Sequence, residues 1–76
     1  MNRSTALAQA ARRVRSINER IPEAHRLDVA PDWSALLDHI EGQTERRAVK
    51  FIESWQEEME TRLCRRLLSA PLEVNR

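Results

Sequence analysis

From Trp33 to Leu67 the chain places apolar or small residues at steps of three and four, and its only glycine, Gly42, sits inside that run. Such spacing lines one face of an α-helix, whereas a strand would alternate every second residue. Trp33, Leu36, Leu37 and Ile40 begin the stripe. It continues through Thr44, Ala48, Phe51 or Ile52, Trp55, Met59, Leu63 and Leu67. A loop normally resets such a phase. The pattern therefore predicts one long helix over about 33–69, with Asp32 as its N-cap. Gly42 inside it costs ~1 kcal/mol relative to alanine. The alternative is a break at Gly42 acting as a C-cap, giving helices over 33–41 and 44–69.

A second stripe precedes this one. Leu7, Ala10, Ala11, Val14, Ile17 and Ile21 share a helix face, so a first helix is predicted over about 4–20. Ser4 or Thr5 can cap its start, and Pro22 ends it by removing a backbone donor. Residues 22–31, bounded by Pro22 and Pro31, read as a linker anchored by Leu27 and Val29. Pro71 is expected to stop the long helix and leave residues 71–76 as a short tail.

The expected fold class is all-α, a single domain over 1–76 built as a helical hairpin. One glycine, three prolines and no tyrosine argue against a turn-rich β fold. A helix over 33–69 would span ~55 Å and a helix over 4–20 only ~25 Å. Much of the long stripe would then lack cover, and a second copy is the commonest solution for a small chain. Hence a homodimer is expected, with Phe51, Trp55, Met59, Leu63 and Leu67 at its interface or at that of another partner.

Charge is segregated. Residues 1–26 carry a net +4, residues 27–60 a net −6 and residues 61–76 a net +3. Were the first helix to fold back antiparallel, its basic flanks would face the acidic stretch. Arg62 and Arg66 fall beside Met59 and Leu63. Arginine within an apolar stripe is rarely buried unpaired, so either the stripe is solvated there or these two pair with acids of another chain. Lys50 is the only lysine against 12 arginines, a bias that points to a GC-rich bacterial, plasmid or phage gene.

Candidate chemistry is sparse. Glu53, Glu57 and Glu60 share a face at i, i+4 and i+7 but lie away from the apolar stripe, so they are expected to be solvated. His25 and His39 have no second ligand at metal-binding spacing. Cys64 is the only cysteine, which excludes an intrachain disulfide and fits a reducing compartment. Without a placeable base it reads as a packed small hydrophobe rather than a nucleophile. No phosphate loop, zinc-finger spacing or catalytic triad is present, so neither enzyme activity nor a metal or other cofactor is expected.

No stretch approaches the ~20 apolar residues of a membrane span, and no secretory leader is visible. The arginine-rich, acid-free residues 1–18 also match a mitochondrial presequence, the lesser reading beside a cytoplasmic one. Arg12, Arg13 and Arg15 are the best candidates for nucleic-acid contact. A helix-turn-helix around Gly42, reading DNA from Gln43 onward, is a related option. Against both stands a nearly neutral chain of net charge +1. The favoured expectation is a non-enzymatic protein-binding regulator, inhibitor or adaptor. A DNA-binding regulator comes second, and an obligate small subunit of a larger complex third.

Overall fold

The computed structural model describes residues 1–69. The expected stop at Pro71 and the tail over 71–76 lie outside the described residues. Within them the chain is all-helical. It forms α1 (Arg3–Glu19), a short 3-10 turn (Glu23–His25), α2 (Ala30–Ile40) and α3 (Glu45–Ser69).

The long helix expected over 33–69 is broken at Gly42. α2 ends at Ile40, where Glu41 adopts φ −62° and ψ 130°. Gly42 follows at φ +82°. The Gln43 amide then donates to the Ile40 carbonyl at 3.0 Å. Those angles and that bond define a type II turn, whose third residue needs a positive φ and therefore favours glycine. Thr44 restarts the chain as an N-cap. Its Oγ1 accepts from the Arg47 amide at 3.3 Å, and its carbonyl accepts from the Ala48 amide at 2.8 Å. The apolar phase survives because α2 and α3 send their stripes into the same core.

Both helix starts expected from the sequence move upstream. α1 is capped by Asn2, whose side chain accepts from the Thr5 amide at 2.8 Å, and not by Ser4 or Thr5. α2 begins at Ala30, with Pro31 and Asp32 inside its first turn. Proline fits there because first-turn amides lack helical partners in any case. The N-cap is Val29, which has no side chain able to cap, and Asp32 does not fill the cap role expected of it. One residue earlier, the Asp28 carboxylate accepts from the Ala30 amide at 3.3 Å. The far end of α1 is closed by Arg26, which donates to the carbonyls of Ile21 and Glu19 at 2.9 and 3.0 Å. A cation is favourable at that end of a helix.

The helices run up, down and up. Arg3 at the start of α1 pairs with Glu45 at the start of α3, and Arg13 pairs with Glu60 further along both. α1 and α3 are therefore parallel. The antiparallel packing expected of the first helix on a single long partner gives way because α2 already reverses the chain. The basic flank of α1 nonetheless meets acids of the 27–60 stretch. α2 lies antiparallel beside α3: Trp33 meets Trp55, His39 meets Phe51 and Asp32 meets Arg62.

The core has two parts. Ala6 and Ala10 pack with Ala48 and Ile52 of α3 and with Leu36 and Ile40 of α2. Alanines on both α1 and α3 let these two helices come close. Val14 and Ile21 cover Met59 and Leu63, with Leu27 and Val29 closing the same end as the linker reading anticipates. Asn18 clips that linker twice. Its amide donates to the Leu27 carbonyl at 2.8 Å, and its oxygen accepts from the Leu27 amide at 3.1 Å.

Candidate docking surface

Four of the polar side chains singled out from sequence, Arg13, Glu60, Arg62 and Arg66, are engaged inside the chain. Arg62 donates to Asp32 at 3.2 Å and touches the Met59 sulfur at 3.4 Å. Arg66 donates to the His25 carbonyl at 2.8 Å, pinning the 3-10 turn onto α3. Both are exposed, in line with the solvated alternative, and both have partners within the chain. The two residues look stranded in an apolar stripe only while α2 and the linker are left out of view. Glu60, expected to be solvated, is half-buried. It accepts from Gln56 at 2.8 Å and from Arg13 at 3.3 Å. Those bonds, Gln56 first, hold its carboxyl below the ordinary range. Glu53 and Glu57 are exposed.

The proposed interface stripe divides. Met59 and Leu63 are buried within the chain, at 1% and 0% exposure. They are core, and their cover comes from α1 and the linker. At these two positions the stripe is covered without a second copy. Phe51, Trp55 and Leu67 remain half-buried. The exposed large hydrophobics among the described residues are Met1, Leu37 and Leu68, at 69%, 39% and 85%. They are scattered and form no contiguous patch.

Two grooves flank α2. The α1 and α2 backbones stay further from each other than α1 does from α3, and a groove of about 440 Å³ opens between them. Ala11, Val14, Arg15 and Asn18 of α1 form one wall. Val29, Ala30 and Trp33 form the other, and Trp55 of α3 reaches the floor. The indoles of Trp33 and Trp55 meet edge to face, 5.6 Å between centroids. Trp33 lies four residues before Leu37, so the exposed leucine extends the same wall by one turn. On the opposite side of α2, a second groove of about 380 Å³ runs past His39, Phe51 and Glu58, and Trp55 lines it as well. There the His39 ring stands edge-on to Phe51 at 4.4 Å.

Two clusters of cations take part in no ion pair among the described residues. Arg12 and Arg15 are exposed on α1, and Arg15 forms part of the groove between α1 and α2. Arg46, Arg47 and Lys50 surround Phe51 near the start of α3. Arg13, grouped with Arg12 and Arg15 in the sequence, is instead turned towards Glu60. Cys64 is exposed rather than packed. No group of three or more potential metal ligands occurs among the described residues.

The most connected residue went unnoticed in the sequence. Arg3 donates to the Ile40 carbonyl at 3.4 Å, to the Gln43 carbonyl at 2.7 Å and to the Glu45 carboxylate at 3.2 Å. One guanidinium thus ties together the start of α1, the end of α2, the Gly42 turn and the start of α3. Its partners lie about 40 residues away, and no local pattern announces such a contact. No helix among the described residues is long and apolar enough to cross a membrane. Comparison with protein-family models, with curated proteins and with solved structures finds no match for this chain.

Proposed function

We propose that this chain is a non-enzymatic protein-binding module, a small regulator, inhibitor or adaptor. The observation that supports this reading is the position of Trp33 and Trp55. The two largest side chains of the protein are half-buried against each other, and Trp55 lines a groove on both sides of α2. Tryptophan with one side packed and one side accessible is the residue most often found at the energetic centre of protein interfaces. The remaining polar groups support it as well. Many are spent on holding the three helices together rather than converging on a reacting centre.

Nucleic-acid binding is the second reading, supported by Arg46, Arg47 and Lys50 beside Phe51. A helix-turn-helix needs its two helices to cross at a steep angle. α2 instead lies back along α3, which leaves a phosphate-tracking surface as the form this reading takes.

Affinity purification of the tagged protein from the cells that produce it, with mass spectrometry of what is retained, tests the proposal. A protein partner retained in fixed stoichiometry by the wild type, and released by a substitution facing either groove, is the expected result. Tight binding to duplex DNA, steeply salt-dependent and abolished by Arg46→Ala/Arg47→Ala, would replace protein binding with the second reading.

A further inference from the structure

We propose that the groove between α1 and α2 seats an amphipathic helix of another protein, with apolar residues on Trp33 and Trp55 and acidic residues against Arg15 and Arg12. The proposal rests on the protein-binding reading and names its surface and its ligand. Helix-in-groove docking needs an apolar trough bounded by helices, with a few charges to fix orientation. Both parts are present. Small residues, Ala11 on one wall and Ala30 on the other, leave room above the two indoles.

The charge is one-sided. Arg15 belongs to the α1 wall, and Arg12 stands one turn before it on the outer edge of that helix. Neither arginine has an ion-pair partner among the described residues. The α2 edge presents Ser34 and Leu37 instead, with Asp38 and Glu41 beyond them. A helix carrying acids on one flank would therefore seat with that flank on α1, whereas a lysine-flanked helix would face Arg15 in that direction and, reversed, meet only the more distant Asp38 and Glu41. α2 has 11 residues, and the ligand needs about three turns to match that wall, ~16 Å in length.

The chain itself is a poor occupant. The exposed face of α3 carries Arg46, Lys50, Glu57, Thr61 and Cys64, a polar stripe with no apolar row to insert. The exposed large hydrophobics among the described residues are too scattered to supply one. Among the described residues nothing suits the groove, and the occupant proposed is a different protein.

The two indoles are the only ones in the chain and both lie at the groove, so a bound helix shifts tryptophan emission. Trp55 also borders the second groove, so the groove variants below assign the shift. The probes are two tryptophan-free helical peptides of about three turns, with leucines on one face. One carries glutamates along a flank and the other carries lysines there. The glutamate peptide should shift the emission and bind at least tenfold more tightly than the lysine peptide, with an advantage that shrinks as salt rises. Ala11→Gln, which fills the groove, and Arg15→Glu should each weaken the glutamate peptide at least tenfold. Both positions lie off the buried core, and unchanged helicity by circular dichroism verifies that each variant folds. Equal binding of the two peptides, no binding of either, or indifference to both variants would overturn the proposal. A natural partner that is still retained by Ala11→Gln and cross-links to the Phe51 side of α2 would overturn the groove while leaving the protein-binding reading intact.

Discussion

Arg3 and Glu45 hold each other through two different groups. The Arg3 side chain donates to one carboxylate oxygen of Glu45, and the Arg3 backbone amide donates to the other. Glu45 thereby caps the start of α1 while sitting in the first turn of α3, and both helix starts favour a negative charge. Because α1 and α3 are parallel, their N-termini lie side by side and share this one anion. The bond from the Arg3 backbone, followed by that from its side chain, holds the Glu45 carboxyl below the ordinary range.

Arg3→Ala should destabilise the fold by about 1 kcal/mol or more through the lost bonds to the Ile40 and Gln43 carbonyls. Chemical denaturation measures it. Glu45→Gln should change stability less, because that carboxylate is exposed and screened.

Acid should weaken the fold with a definite sign. Glu45 and Glu60 are both held below their ordinary pKa in the folded chain. The unfolded chain therefore takes up their protons first. Their contribution is fully present above the unfolded carboxylate value of about 4.3 and is lost as pH falls through the lower folded values. Denaturation midpoints between pH 7 and about pH 3 check this. Arg13→Ala and Gln56→Ala should both flatten the acid limb of that profile by releasing Glu60.

Gly42→Ala tests the turn by the sign of its effect. No atom would meet an added Cβ within 4 Å, so the cost is conformational and arises from φ +82°. Alanine should lower stability by about 1 kcal/mol, a fall in Tm of roughly 4–8 °C for a domain of this size. If residues 33–69 formed one helix, the same change would raise stability by a similar amount.

That distinction was hard to read from sequence, and the reason is physical. Apolar periodicity reports which face is buried, not whether the chain is continuous. Ile40 and Ala48 enter one core from two helices, so the stripe keeps its phase across a turn. The local chemistry was the better guide: a glycine suited to a positive φ, then a threonine able to cap, then an acid in the first turn. The three helical faces were legible for the same reason that the break was not. The parallel course of α1 and α3 follows only once α2 is separate. At the candidate site, Trp55 and Arg15 were visible as residue types. Their meeting at one groove depends on α1 and α2 standing apart, which no spacing in the sequence encodes.

Leu63→Ala should cost about 2–5 kcal/mol, because the side chain is fully enclosed by the chain itself. Leu68→Ala should be nearly neutral, since Leu68 is exposed. Thermal unfolding of the two variants, at several protein concentrations, separates a self-contained core from an interface. The Tm of the wild type should not depend on concentration. A Tm that rises with concentration would place Leu63 in a fold completed by a second copy.

Hydrogen exchange of the chain alone and bound to the protein retained from its own cells tests the functional account most directly. The account predicts new protection along residues 7–18 of α1 and 30–37 of α2, with the outer face of α3 unchanged. Protection confined to residues 45–51 of α3, or the same protection produced by duplex DNA, would contradict it.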